Sequence, residues 1–584
     1  MRTFVLAVGL ATLGAPTIGA QDREVVIEWG VKIPLRDGVR LNATLYRPRG
    51  VTTPQPVVFT LTPYIGDTYH RYAMQMAKDG YIFAAVDVRG RGNSEGEFEP
   101  FVNEGRDGHD VVEWFARQPW STGKIAMWGG SYGGTDQWAT LKELPPHLTS
   151  IVPVAPAYLG IDFPMVGNIH STYLPQWLTF TSGNTAQAQI FADMTQWAGY
   201  VSILRREGLA FRALDSVAGN PSAIFQKWMA HPTPDAYWDQ VSPTPAQYAR
   251  MTQPILTITG HYDGDQLGTL THYRKYLQHA SPEARRNIWL VIGPWDHGGT
   301  RSPTREVNGI TFGPASMVDI HQLNKEWYDW TLRGASSRPK LLEKRVAYYV
   351  AGANGDVWRY ADSLEAIATE RRRYYLDSGG RAHDAFGGGR LVTTAPTTST
   401  PDRWTYNPLD PPIGEAVTHP SARSFVDQAM ALDLRGSGVV YHTDPFDQET
   451  EIAGEMSLKV WMALDVPDTD FEVLVWEILP NGQAIQLAQT QLRARYRESL
   501  REGKLIPAGV PLPYTFRDFN WFARRIAKGS RLRLLLRSPN GLELQQNFNS
   551  GGDVTRETRR DARTAHVTVY HDRDRPSVLE VPIR

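Results

Sequence analysis

Short apolar runs separated by helical stretches constrain the fold of this chain more than any other feature. Six of them lie in its first half, at 57–62, 81–88, 125–128, 151–154, 255–259 and 288–292. Runs of this length without alternation are typical of parallel strands that are buried on both faces. The pattern therefore predicts an α/β domain built around a parallel sheet.

A chain of 584 residues exceeds the roughly 250–300 residues that one hydrophobic core can hold, so several structural units are expected. The α/β core is predicted in two parts, 21–155 and 251–335, and its first part opens with a hairpin that turns at 36–38. Between these parts the strand signal disappears, and Trp, Gln, Met and Ala recur at loosely helical spacing. The segment 156–250 is therefore predicted to be an inserted helical cap.

The sequence changes character after Ser336, where β-branched and aromatic residues alternate. The clearest of these strand patterns are 456–464, 471–478, 531–536 and 566–570. Many strands without intervening helices predict an all-β C-terminal unit over 336–584, which we interpret as a β-sandwich of jelly-roll type.

The N-terminus has the order of features found in secretory signals. Arg2 precedes an apolar run at 4–13, and small residues lead to Ala20. We predict cleavage after Ala20, so that 1–20 is a signal peptide and the mature protein is periplasmic or secreted. An ordinary first strand or a membrane anchor is the alternative, but the run is shorter than the roughly 18 residues of a membrane span, and no membrane partner is expected.

Composition limits the chemistry and the partners. The 61 basic and 62 acidic residues leave no large net charge, which argues against nucleic acid as a partner. The cysteine count is 0, so neither thiolate catalysis nor cysteine-ligated zinc is available. Serine, carboxylate and histidine must then carry any catalysis, and no metal or organic cofactor is required.

The pattern Gly-Gly-Ser-Tyr-Gly at 129–133 directly follows one apolar run and precedes a helical stretch. This context is typical of the nucleophile elbow of α/β-hydrolases, where small neighbours let a serine hydroxyl project from a sharp strand-to-helix turn. A plain glycine-rich turn is the alternative, because 51 glycines make a chance match easy. We interpret Ser131 as the nucleophile.

A serine hydroxyl needs a base within hydrogen-bond reach, and the base needs an acceptor that orients it. Both are expected downstream, past the carboxyl ends of strands, where reacting groups meet at one edge of a sheet. One later apolar run leads to Asp263, with Asp265 as a nearby rival, and the next leads to His297 on a Gly/Pro loop. His297 is the predicted base and Asp263 the predicted acid, whereas His261 and Asp296 are expected to point elsewhere.

Acyl transfer also requires donors aimed at the developing oxyanion, each worth about 3–4 kcal/mol in a preorganised site. The backbone N–H of Tyr132 is expected to supply one of them. The phenol of Tyr64, in the loop after the first apolar run, is the candidate for the second. A tyrosine that merely packs at the rim of the cleft is the alternative.

Together these residues resemble one family, the cocaine esterase and X-Pro dipeptidyl-peptidase-like hydrolases, which include α-amino-acid ester hydrolases and glutaryl-cephalosporin acylases. The matching segments are 33–39, 87–94, the elbow at 129–134, His231-Pro232 with Asp235 and Trp238, Tyr262-Asp263, Gly293-Pro294-Trp295 with His297, Asp468-Thr469-Asp470-Phe471 and His571-Asp572. The resemblance implies an α/β-hydrolase core, a helical cap and a C-terminal jelly roll. It also implies that Tyr64 helps to bind the oxyanion.

The substrate pocket is expected to be walled by the cap, with Trp177 and Trp228 favouring apolar or aromatic acyl groups. Relatives that take α-amino acyl groups resemble each other in carrying acidic residues close to the elbow, but Gly134 occupies the corresponding place here. Asp136 or Asp235 could substitute, because a buried ammonium needs a carboxylate partner.

The predicted reaction is two-step acyl transfer on a small-molecule acyl ester, an amide or a short peptide. An X-Pro dipeptidyl peptidase and an α-amino-acid ester hydrolase are the enzymatic alternatives. A binding protein, whose β-unit grips a polysaccharide beside an inert core, is the alternative from another class. The sequence leaves ester against amide open, because both pass through the same tetrahedral intermediate, and it leaves the oligomeric state open.

Overall fold

The computed structural model describes residues 24–352, 355–384, 388–412, 424–428 and 437–584. The predicted signal peptide at 1–20 lies outside these residues. Among the helices that the model describes, none combines the length and the apolar character needed to cross a membrane.

The first part of the chain contains fourteen strands, two of which lie within the predicted cap. They are β1 Val25–Pro34, β2 Arg40–Pro48, β3 Gln55–Thr62, β4 Ile82–Asp87, β5 Ser121–Gly130, β6 Leu148–Val154, β7 Met165–Val166, β8 Ile169–His170, β9 Ile255–Tyr262, β10 Ile288–Asp296, β11 Glu306–Val307, β12 Ile310–Thr311, β13 Val346–Gly352 and β14 Val357–Ala361. All six predicted apolar runs fall on strands, namely β3, β4, β5, β6, β9 and β10, which confirms that part of the prediction.

Ten of these strands form one mixed sheet in the order β1-β2-β4-β3-β5-β6-β9-β10-β13-β14. The seven strands β4, β3, β5, β6, β9, β10 and β13 run parallel to one another. Strands β1, β2 and β14 pair antiparallel with their neighbours. Every residue of β4 is buried. Burial on both faces explains why these strands read as continuous apolar runs rather than as alternating patterns.

Helices cover both faces of the sheet. Their bounds are α1 His70–Lys78, α2 Glu104–Ala116, α3 Tyr132–Lys142, α4 Tyr173–Phe180, α5 Ala188–Ala192, α6 Met194–Glu207, α7 Leu214–Val217, α8 Ala223–Met229, α9 Ala236–Asp239, α10 Pro245–Tyr248, α11 Gln266–His279 and α12 Ile320–Thr331. Helices α2, α3 and α11 share one hydrophobic cluster, whereas α1 and α12 belong to the cluster on the opposite face. Seven helices, α4 to α10, lie between β6 and β9.

The core sheet extends beyond the boundary that the sequence predicted at 335/336. Strand β13 begins at Val346, yet it pairs parallel with β10 from Leu290↔Val346 to Ile292↔Tyr348. The β-branched and aromatic residues of β13 are typical both of a parallel strand and of a strand in a β-sandwich. The sequence alone therefore did not show that β13 pairs with β10. The other boundaries of the predicted units stay predictions.

The C-terminal part is rich in strands and has its own hydrophobic cluster. The strands are β15 Glu370–Ser378, β16 Gly389–Val392, β17 Asp402–Tyr406, β18 Gly438–Thr443, β19 Thr450–Gly454, β20 Ser457–Leu464, β21 Asp470–Ile478, β22 Ala484–Arg493, β23 Leu512–Phe516, β24 Phe522–Ile526, β25 Arg531–Arg537, β26 Ala565–Tyr570 and β27 Val578–Ile583. The four predicted patterns fall on β20, β21, β25 and β26. The molecule therefore combines a mixed-sheet, hydrolase-like domain with a separate β-rich domain.

Many contacts hold the β-rich domain against the first part of the chain, and two of them involve the core sheet and the helix α11. Strand β13 pairs with β24 through Ala351↔Arg524 and Gly352↔Arg525. At the start of α11, the buried side chain of Gln266 accepts a hydrogen bond from the Trp521 N–H at 2.6 Å and donates one to the Trp521 carbonyl at 2.8 Å. The second contact lies at the carboxyl edge of the parallel strands, where the site was predicted.

Candidate active site

Ser131 occupies the sharp turn between β5, which ends at Gly130, and α3, which begins at Tyr132. Its backbone has φ 60° and ψ −123°, a conformation that non-glycine residues rarely adopt. The turn is held on both sides, because the Ser131 N–H donates to the Val154 carbonyl at 2.9 Å and the Ser131 carbonyl accepts from the Gly134 N–H at 2.8 Å. The hydroxyl is thereby presented at the carboxyl edge of the sheet.

Two of the glycines next to Ser131 allow neighbouring groups to approach closely. A Cβ on Gly134 would lie 2.7 Å from the Val154 carbonyl oxygen, and one on Gly130 would overlap the guanidinium of Arg301. An acidic side chain therefore has no room at position 134, where the family resemblance made one expected.

His297 lies just after β10 and is bonded to the acid that follows β9. Its Nδ1 lies 2.7 Å from Oδ1 of Asp263 but 3.8 Å from Oδ2 of Asp265. The Asp263 carboxylate is buried and accepts two further hydrogen bonds, from the Thr259 hydroxyl at 2.7 Å and from the Asp265 N–H at 3.0 Å. Asp263 rather than its rival therefore orients the imidazole.

The charges around His297 set its proton affinity. Burial lowers the pKa of His297, but Asp265 and Asp263 together raise it by more, so that the pKa lies above its ordinary value. Arg301 acts in the opposite direction and lowers this pKa. Burial itself raises the pKa of Asp265 to about 6.

One cavity of about 230 Å³ brings the predicted groups together. Its walls include Tyr64, Ser131, Tyr132, Asp263 and His297. The groups come from four separated segments of the chain, each of which follows a parallel strand of the same sheet. The serine, the imidazole and the residues of both predicted oxyanion donors therefore line one cavity.

Tyr64 is held with its phenol in this cavity. The phenol oxygen accepts a hydrogen bond from the Trp177 indole N–H at 3.1 Å. Burial raises the pKa of Tyr64 far above its ordinary value, so the phenol stays protonated. It can therefore donate a hydrogen bond to an oxyanion.

Tyr132 has two separate tasks. Its backbone N–H is the first of α3, where helical N–H groups lack a partner within the helix. Its hydroxyl donates to the buried Glu104 carboxylate and accepts from the Phe101 N–H at 2.9 Å. The side chain thus anchors the elbow while the N–H remains available to an oxyanion.

Of the four predicted pocket residues, Trp177 lines the cavity, whereas Trp228, Asp136 and Asp235 are absent from the described residues of its wall. Trp228 is buried behind Trp177, with ring centroids 6.0 Å apart. Asp136 is buried within α3. Asp235 instead caps the start of α9, where its side chain accepts a hydrogen bond from the Tyr237 N–H at 2.9 Å. Its Oδ2 also lies 2.7 Å from Nδ1 of His231.

Sequence reasoning missed Asp162, which lines the cavity together with Asp265. Asp162 is buried and accepts from the N–H groups of Tyr158, at 2.8 Å, and Gly268, at 2.5 Å. Burial and the neighbouring Asp265 raise its pKa well above the ordinary value. Because Asp162 lies in the loop after β6, the rule that located Asp263 and His297 after their strands could have found it.

Asp296 and His261 were both expected to point away from the site, but only His261 lines the described wall of the cavity. Asp296 shapes its own loop by accepting from the Gly299 N–H at 2.7 Å. His261 instead lines the cavity, and burial lowers its pKa to about 3, so the ring is neutral. The β-rich domain also contributes to the wall through the segment 486–491 of β22, which no motif had indicated.

Comparisons with known proteins show which family the chain resembles. The family model described as X-Pro dipeptidyl-peptidase (S15 family) matches residues 37–299, and the model of the X-Pro dipeptidyl-peptidase C-terminal non-catalytic domain matches 341–580. The chain is 28% identical over 586 residues to a cocaine esterase from Rhodococcus sp. (strain MB1 Bresler), covering 95% of this chain and 98% of that protein.

Two solved structures share the fold at lower identity. An aminopeptidase from the marine sediment archaeon Thaumarchaeota archaeon superposes with a TM-score of 0.82 at 22% identity, covering 96% of each chain. An α-amino acid ester hydrolase superposes with a TM-score of 0.79 at 21% identity, covering 98% of this chain and 100% of that one. Both cover the core and the β-rich domain together.

The packing at the elbow yields a stability prediction. Gly134→Ala should destabilise the protein by about 1–3 kcal/mol, because its Cβ would press on the Val154 carbonyl of a strand that cannot move away. Urea unfolding measures this difference. Gly264→Ala is the matched control, since a Cβ there meets nothing within 4 Å. Equal stability of the two variants would contradict the packing argument.

Proposed function

Since this chain belongs to the family of cocaine esterase and X-Pro dipeptidyl-peptidase-like hydrolases, we propose that it is an exported serine hydrolase that cleaves acyl esters or amides. Ser131 is the nucleophile, His297 the base and Asp263 the orienting acid. The observation that carries the proposal is the 2.7 Å hydrogen bond between His297 and buried Asp263, in the same cavity wall as the elbow serine.

In the proposed reaction, His297 takes the proton of the Ser131 hydroxyl as its oxygen attacks the substrate carbonyl. Asp263 stabilises the imidazolium that forms. The oxyanion accepts hydrogen bonds from the Tyr132 N–H and the Tyr64 phenol. His297 then gives its proton to the leaving group, and a water molecule that it activates releases the acid from the acyl-enzyme.

We also propose that α4 to α10 act as a cap and that the C-terminal strands form a jelly roll. Trp177 and Tyr173 of α4 lie in the cavity wall together with Phe163, which supports an acyl pocket for apolar or aromatic groups. The catalytic edge is then enclosed by the cap on one side and by the β-rich domain on another.

Ser131→Ala should abolish labelling by a fluorophosphonate and lower kcat on aryl esters about 10³-fold or more, because the nucleophile is lost. Ser302→Ala is the control, since Ser302 is an exposed serine that follows His297 by five residues in the chain. An inert core predicts that the native protein is not labelled at all, and that result would refute the proposal.

The charges around His297 predict a pH effect. The proposed base acts when it is neutral, and Arg301 opposes Asp263 and Asp265 by lowering the pKa of His297. Arg301→Gln should therefore raise this pKa and move the acid limb of kcat/KM on an aryl ester to higher pH. Arg206→Gln removes a highly exposed charge from α6 and should leave the profile in place. A limb that stays or moves to lower pH in the Arg301 variant counts against this assignment.

A second candidate is the hydrolysis of α-amino acyl substrates, such as amino-acid esters or Xaa-Pro peptides. The observation in its favour is the pair of carboxyl groups in the cavity wall, buried Asp162 and partly buried Asp265. Burial raises the pKa of Asp162, because it disfavours the charged carboxylate. A cationic partner would stabilise that charged form, and a substrate ammonium would be one.

Two esters that differ only in the amino group test this candidate. Asp162→Asn should lower kcat/KM at least about tenfold on phenylglycine methyl ester but leave phenylacetate methyl ester within about twofold. The second ester is the control for folding and for the intact triad. Equal losses on both esters would assign Asp162 a purely structural role. An Ala-Pro anilide in the same panel separates an exopeptidase from an ester hydrolase.

A further inference from the structure

Strand β22 of the β-rich domain turns its edge, rather than one of its faces, toward the cavity. Six consecutive residues, 486–491, line the wall. Side chains of a strand alternate between two faces, so a face would contribute every second residue only. Among the described residues, β22 pairs with a single strand, β21. Its other edge is the one that faces the cavity.

Both ends of this edge are already occupied. At one end, the Gln486 N–H donates to the Phe425 carbonyl at 2.8 Å and the Gln486 carbonyl accepts from the Tyr262 hydroxyl at 3.1 Å. At the other end, the Arg493 N–H donates to the Gly167 carbonyl at 3.0 Å. Gly167 also packs against the Gln491 carbonyl, where a Cβ would overlap it.

Between these ends, the backbone of Gln489 is directed toward the cavity side of β22. In an antiparallel pair, backbone groups point toward the partner strand and away from it in alternation. Because the Arg493 N–H points away from β21, the backbone groups of Gln489, four residues earlier, point the same way. Gln489 is half-buried, and no partner for these groups is found on the cavity side among the residues that the model describes.

The neighbouring side-chain amides are engaged with one another or with the cap. Gln486 Nε2 donates to Gln489 Oε1 at 3.1 Å, and Gln491 Nε2 donates to the Val166 carbonyl at 3.1 Å. Among the residues that the structure describes, the Gln489 N–H and C=O have no hydrogen-bond partner along this edge. One N–H and one C=O on the same residue match the pair of bonds that a residue of an extended peptide exchanges with a strand.

We propose that the Gln489 N–H and C=O form a substrate subsite that binds the backbone of an extended peptide flanking the scissile bond, by addition of a short strand to β22. This inference rests on the proposed function, since the subsite serves the cavity of Ser131. It gives the β-rich domain a direct part in substrate recognition. Small aryl esters carry no such backbone and do not use it.

Proline at position 489 tests the subsite. Gln489→Pro removes only an N–H that points away from β21, and proline is tolerated at strand edges. It should lower kcat/KM on an internally quenched peptide about tenfold, the loss expected for one hydrogen bond, and leave p-nitrophenyl acetate within about twofold. Gln489→Ala keeps the N–H and is the matched control, expected to leave the ratio of the two activities unchanged.

A measurement on the native protein covers the case in which the proline variant does not fold. Methylation of the substrate amide nitrogen that donates to the Gln489 carbonyl should lower kcat/KM about tenfold against the unmethylated peptide. A scan along the peptide identifies that nitrogen, because methylation of amides outside the subsite should have little effect.

The outcomes separate the two proposals. Absence of any Ser131-dependent turnover would refute the proposed function. If aryl esters are cleaved through Ser131 but no peptide is a substrate, the subsite is overturned and the function stands. The subsite is also overturned if Gln489→Pro and Gln489→Ala give the same ratio of peptide to aryl ester activity, or if no methylated position shows a loss.

Discussion

The backbone of Ser131, held at φ 60°, is the constraint on which the site depends. A conformation of this kind costs of order 1–3 kcal/mol and persists only where the surroundings over-determine it. Here they do so through hydrogen bonds to β6 and α3 and through glycines that allow close contact. The strand β5, the helix α3 and the glycines together hold the Ser131 hydroxyl at the edge of the sheet. The loops after β9 and β10 place Asp263 and His297 in the wall of the same cavity.

Much of this arrangement could be predicted because the decisive signals are local. Ser131, Asp263 and His297 each follow a run of apolar residues, and such runs identify buried parallel strands without knowledge of the partners. The same reasoning found Tyr64 after β3. Strand β13 was predicted as part of the C-terminal unit, and its sequence did not indicate that it also pairs with β10 of the core sheet.

The remaining parts of the site depend on distant contacts. Asp136 and Asp235 carry the right chemistry, but one is buried inside α3 and the other caps a short helix, and neither direction is encoded near the residue itself. The contribution of β22 follows from how the β-rich domain is attached to the core. No pattern within β22 distinguishes an edge that lines a cavity from one that faces solvent.

The pairing of β13 with β24 means that the hydrogen-bonded network of the catalytic sheet continues into the second domain. The two domains are therefore joined by backbone hydrogen bonds and not by side-chain contacts alone. A replacement domain would have to reproduce this seam and bring a strand to the same place.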